Sequence, residues 1–266
     1  TARAVEELGL RAHLSYTLFD QGGAERAALD RKRSYEYYEA FKAFSDRITF
    51  TLGPHAIYTV SGEQLQFCHK FAVEHNVKIN LHLAETKGEV DECVRQHGLT
   101  PVRYLEKLGI LSEHLIIAHV VWVDDEEMDL LAKHRVSVVH NPASNMKLCS
   151  GYTFKYEEMK KRGIRLGIGT DGCSSSNNLD MVIAMKLASL LGKAWRFSPT
   201  ATKAADIYHS ATIGGAEILE IPAGRIAEGM LADLSLVDLN VPELVPLNSL
   251  TSNLVYATSG SSCIDT

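Results

Sequence analysis

Polar side chains stand where short apolar runs end at five places in this sequence. They are His55 in LGPHA, His82 with Glu85 in NLHLAE, His119 in IIAHVVW, His140 with Asn141 in VVHNPASN, and Asp171 in GIGTDG. Imidazole nitrogen and carboxylate oxygen are the donors that suit Zn²⁺ or Fe²⁺. A carboxylate beside an activated water is also the natural proton carrier for hydrolysis. One histidine at a strand end is more often a hydrogen-bonded structural residue than a ligand. Five strand ends in succession carrying His, Glu or Asp are harder to explain that way. His82 and Glu85 impose a condition: residues three apart on an extended strand point to opposite faces. The two converge only if the chain turns after Leu83. The structural alternative for Glu85 is a carboxylate that offsets the dipole of the next helix.

Other chemistries find less support. Gly167, Gly169 and Gly172 spell a G-x-G-x-x-G pattern, but it does not open a βαβ unit. Gly192–Lys193, about twenty residues on, offers no acid for a ribose. No G-x-S-x-G elbow is present, and no cysteine pairs with a histidine as a nucleophile would require. His13, His69, His75, His97, His114, His134 and His209 fall in helical, turn or strand-interior positions and read as structural or solvent-facing residues.

The elements that position the five strand ends follow from hydrophobic patterning. Strands are expected at Arg11–Phe19, Ile48–Leu52, Val77–Leu83, Leu115–Val121, Val136–His140 and Arg165–Gly169. These runs are nearly continuous in apolar character, as in strands buried on both faces. Amphipathic helices are expected between them at Ser61–His75, Lys87–Gln96, Pro101–Leu108 and Glu126–His134. Alternation of strand and helix implies a parallel sheet covered by helices, with chemistry at the C-terminal strand ends. Near Pro222 the pattern changes. Gly224–Leu239 and Leu254–Thr258 read as short antiparallel strands, which divides the chain into an α/β body (1–221) and a β appendage (222–266).

With 27 Lys+Arg against 33 Asp+Glu, the formal charge is −6 and the longest basic run is Arg31–Lys32–Arg33. Such a balance argues against nucleic acid or an anionic membrane as partner. It leaves a small-molecule substrate, with self-association as a homo-oligomer open. Five separated cysteines without a C-x-x-C pair suggest reduced thiols, mostly in the core, and a cytoplasmic location. No signal-peptide pattern is evident at the first residues, and Leu115–Val123 is too short to span a bilayer.

The motifs GPHAIYT, HLAET, AHVVW, HNPASNMKL and GTDG–SSSNNLDM, in that order, resemble the metal-dependent amidohydrolase superfamily. The similarity is to its 5′-methylthioadenosine/S-adenosylhomocysteine deaminase branch, which also contains guanine and triazine hydrolases. It runs from about Leu10 to the end, including ADLSLVDL and LVYATSG. The resemblance implies a (β/α)₈ TIM barrel with a small β-sandwich built from both chain ends. It implies one divalent metal, zinc or iron, with His82 and Asp171 as ligands and Asp171 also as base toward the attacking water. Glu85 would carry a proton to the substrate ring, His119 would hydrogen-bond the attacking oxygen, and His55 would contact substrate. An arginine in the Gln21–Arg33 stretch, Arg31, would hold the ribose or its substituent.

The family's first strand carries an H-x-H pair of metal ligands, and no H-x-H occurs here. The expectation is therefore a fragment holding barrel strands three to eight, with about 60 residues of barrel outside it. The implied activity is hydrolytic deamination of an aminopurine nucleoside, with guanine or chlorotriazine hydrolysis as the neighbouring alternative. A different class of reading is a metal-poor, catalytically incompetent binding or oligomerisation module, since catalytic zinc uses three protein ligands plus water.

Overall fold

In the computed structural model, which describes residues 1–266, six apolar runs form one parallel sheet. The strands are β1 (Ala12–Leu18), β2 (Ile48–Pro54), β3 (Ile79–Leu83), β4 (Leu115–His119), β5 (Ser137–His140) and β6 (Leu166–Ile168). They pair in sequence order, β1 through β6, so β1 and β6 are the two edges. Helices connect each strand to the next. This is the helix-covered parallel sheet expected from the alternation and the α/β barrel architecture implied by the family resemblance, with six strands in place.

The connecting helices begin where side chains can accept their free N–H groups. Ser61 caps Gly62–His75, Thr86 caps Lys87–His97, and Asp124 forms a reciprocal capping box with Glu127 at Asp125–Lys133. Pro101 opens Pro101–Leu108, where its fixed φ suits a first turn. Left-handed residues stop three of these helices: Asn76, Gly98 and Gly109.

The core lies between the sheet and this helical layer. Along β3, Ile79, Leu81 and Leu83 are buried whereas Asn80 and His82 are partly open, a strict alternation. β2, β4, β5 and β6 are nearly continuously buried, as their apolar runs suggested, whereas β3 and the edge strand β1 are partly open. One face meets helices, and the inner face carries polar groups such as Ser15, Thr51 and Asn80. Their side chains bond one another at 2.7–3.2 Å. Phe71 anchors the helical side, 1 % exposed, with ring contacts to Tyr35, Tyr38, Phe50, Phe67 and His75. Phe71→Ala is expected to cost about 3–5 kcal/mol, read as a lowered denaturant midpoint.

The C-terminal segment departs from the all-strand expectation. Leu254–Thr258 is not a strand: Leu250–Tyr256 is a helix, capped by Ser249 and buried through Val255. Leu254, Val255 and Tyr256 pack on the helices Met181–Arg196 and Ala204–His209, and that tertiary burial overrides their β propensity. Within Gly224–Leu239 only β7 (Leu236–Val237) forms, paired antiparallel with β8 (Cys263–Asp265). Two of the five cysteines, Cys68 and Cys93, are buried; Cys149 is exposed in a turn and Cys173 is exposed at the start of the short helix Cys173–Ser176. No helix is long and apolar enough to cross a membrane.

Candidate active site

The C-terminal ends of β2, β3, β4 and β6 bring five of the expected residues together. His55 follows β2 and meets His82 of β3 edge-on, with ring centroids 5.2 Å apart. His82 lies the same 5.2 Å from His119, which ends β4. His119 Nε2 is 3.7 Å from Glu85 Oε2. Asp171, three residues past β6, is close enough to His119 and His82 for both rings to favour its ionised form.

Glu85 reaches this cluster because the chain does turn after Leu83. Ala84 adopts a left-handed conformation, φ 50°, which swings the next side chain back over the strand end. Such a backbone costs about 1–3 kcal/mol and persists only where its surroundings enforce it. Here Glu89 enforces it, its carboxylate accepting from Ala84 N and Glu85 N, each at 2.8 Å. The Ala84 carbonyl in turn accepts from Val121 N and Trp122 N at 3.0 Å. Glu85 therefore is not the cap of the following helix; Thr86 and Glu89 fill that role. His119 and Asp171 are likewise left-handed, φ 75° and 60°, so three candidate site residues stand at or beside strained strand ends.

The electrostatics suit ligands and proton carriers. Burial lowers the pKa of His82, and the neighbouring His119 and His55 rings lower it further. Burial also lowers that of His55. Both imidazoles are thereby held neutral, the form with a free lone pair. Burial pushes Asp171 upward, but the Ser144 hydroxyl and the Gly172 N–H, both at 2.7 Å, outweigh it and hold the carboxyl below its usual range.

His82 and Asp171 offer one imidazole nitrogen and one carboxylate oxygen, donor chemistry that fits zinc or iron. They are two donors, and no group of three His, Cys, Asp or Glu in this chain could hold a metal.

Arg31 is not brought to the cluster. Its Nε donates to Gln64 Oε1 at 2.7 Å and its guanidinium lies over the Phe67 ring, between two helices on the outer layer. Arg26 lies nearer the strand ends: it pairs with Asp30, which also accepts from Phe19 N just past β1. Aromatic side chains missed by the motif reading flank His55, namely Phe19 at 4.8 Å and Tyr58 at 5.9 Å. The glycine pattern around Asp171 answers to packing. A Cβ at Gly167 would strike Ile218, and one at Gly169 would strike Asn141 and Val139.

His140 faces inward instead, stacked on Phe154 at 4.0 Å with Nδ1 unpaired. Burial pushes its pKa down to about 3 from an ordinary 6.5. Between those values the unfolded chain binds more protons, so stability is complete above about pH 6.5 and falls as pH drops toward 3. The loss from this group at pH 5 is expected to be about 2 kcal/mol. His140→Phe should remove that portion, visible as a smaller difference between melts at pH 7 and pH 5.

The chain belongs to the amidohydrolase family, whose model matches residues 1–263. Among curated relatives it is 43% identical over 261 residues to the 5-methylthioadenosine/S-adenosylhomocysteine deaminase of Thermococcus sibiricus, covering 98% of this chain and 61% of that one. It is 43% identical to the 5′-deoxyadenosine deaminase of Methanopyrus kandleri, covering 98% and 60%. An adenosine deaminase structure from Xanthomonas campestris with bound zinc superposes with a TM-score of 0.92 at 33% identity, covering 98% and 60%. The chain thus spans about three-fifths of the length of the relatives it matches.

Proposed function

We propose that this chain supplies most of the active face of an enzyme that deaminates an aminopurine nucleoside by hydrolysis. Within it, residues 1–221 form the barrel part and 222–266 the smaller appended part. The observation that carries the reading is the convergence of His82, Glu85, His119 and Asp171 from three strand ends. Relatives named as deaminases of such nucleosides support it.

His82 and Asp171 would hold the divalent metal, zinc or iron, together with donors beyond this chain. When bound, it supplies Lewis acidity that makes water a nucleophile near neutral pH. The chain's residues do the rest. Asp171, kept ionised by Ser144 and Gly172, accepts a proton from the water that attacks C6. Glu85 delivers a proton to the adjacent ring nitrogen, so the ring carries no anion as its C6 becomes tetrahedral. His119 hydrogen-bonds the attacking oxygen, and its charge develops within reach of Glu85. His55 contacts the base. The proton taken up by Asp171 then passes to the amino group, which leaves as ammonia, and the C6 hydroxyl returns its proton to Glu85, so oxygen remains at C6 and both carboxyls are restored.

The test is ammonia release by the complete gene product. The panel is S-adenosylhomocysteine, 5′-methylthioadenosine, 5′-deoxyadenosine, guanine and a chlorotriazine. Turnover is expected with the adenosine derivatives. Ammonia from none of them would overturn the reading, and preference for guanine or release of chloride would move it within the family.

A further inference from the structure

The motif that follows β5, HNPASNMKLCS, has no reacting group in the mechanism above, yet three of its side chains touch three that do. Ser144 Oγ donates to Asp171 Oδ2 at 2.7 Å. Asn145 Oδ1 lies 2.7 Å from His119 Nδ1. Ser150 Oγ donates to Glu85 Oε1 at 2.8 Å. All three are buried, at 0, 1 and 3 % exposure. Asp171, His119 and Glu85 come from β6, β4 and β3, so one short segment spans reacting groups on three strands.

We propose that residues 144–150 are a positioning strap that sets the tautomer of His119 and the orientation of Glu85; the inference rests on the reacting roles given to those two residues. An amide oxygen only accepts, so the neutral His119 ring must carry its proton on Nδ1. Nε2 is then left with a lone pair, on the side facing Glu85. Ser150 fixes Oε1 of Glu85, which leaves Oε2, the oxygen nearer His119, to carry the transferred proton. The strap is stiff. Ser150 N donates to the Asn145 carbonyl at 2.9 Å, and Asn145 N donates to the Asn141 carbonyl at 3.0 Å. The Ser150 carbonyl accepts from the Trp122 indole at 2.7 Å. Asn145 Nδ2 is buried without a partner, a cost an aliphatic side chain would avoid. What the amide gains in exchange is its bond to His119.

Two readouts test the strap. In the 266-residue chain with ¹⁵N-labelled histidine at pH 8, long-range imidazole spectra should show His119 as the Nδ1–H tautomer. Asn145→Ala should shift that ring toward Nε2–H. An Nε2–H ring in the unmutated chain, or no change in the variant, overturns the tautomer assignment. In the complete gene product, Ser150→Ala should lower kcat about 10- to 100-fold with KM unchanged, the range for a hydrogen bond to a charged group. Ser150→Thr, which keeps the hydroxyl, should recover kcat to within about threefold of the parent. Unchanged kcat in Ser150→Ala, or equal impairment of the two variants, overturns the orientation role. The spectra do not depend on turnover, and Glu85→Gln assayed alongside isolates the proton-transfer reading. Full activity in that control refutes the mechanism, whereas loss of activity with a silent Ser150→Ala refutes only the strap.

Discussion

Glu85→Gln is expected to lower kcat of the complete enzyme by about 10²–10⁴-fold, the range general acid–base catalysis contributes. Its metal content and melting temperature should stay near those of the parent. The substitution removes one transferable proton and little else. Gln keeps the side-chain length and an acceptor for Ser150, and the backbone at Glu85 is held by Glu89 through its N–H. Steady-state ammonia release together with elemental analysis reads both halves. Near-normal kcat would remove Glu85 from the proton path.

Asp171→Asn should do more damage, because one carboxylate serves two purposes. On the proposed function it would be one of two metal donors from this chain and would also accept the proton of the attacking water. The amide loses the anionic charge that both purposes need, although Ser144 and Gly172 could still hold it in place. The expected result is substoichiometric metal as purified, with kcat lower by at least about 10²-fold even after metal is restored. Full metal content with a purely kinetic defect would leave Asp171 as base and not as ligand. Elemental analysis of the unmutated 266-residue chain bears on the contrary reading of a metal-poor binding module. Stoichiometric zinc or iron in it would reject that reading.

Much of the site was legible because its residues interrupt apolar runs. His55, His82, His119 and Asp171 each stand where a hydrophobic strand stops, and a parallel sheet must place such stops on one face. The convergence of Glu85 with His82 was legible only as a condition. It depends on a left-handed Ala84 that Glu89 stabilises from the next helix, and local propensity does not report a bond of that kind. Arg31 was misleading for a related reason. A basic side chain near the expected position faces Gln64 and Phe67 because its turn of helix points outward. Leu254–Tyr256 carry strand-forming side chains, yet neighbouring helices give that apolar face a partner only if it coils. The contacts of Ser144, Asn145 and Ser150 join residues 26 to 65 apart in sequence, so no local pattern exposes them.

On the proposed function, this face adds water to C6 of an aminopurine nucleoside. Turnover of 5′-methylthioadenosine or S-adenosylhomocysteine by the complete gene product in H₂¹⁸O tests it directly. One ammonia per turnover and a hypoxanthine-type product carrying one ¹⁸O at C6 are expected, both lost in Glu85→Gln. A product without the label, or no ammonia from either nucleoside, would contradict it.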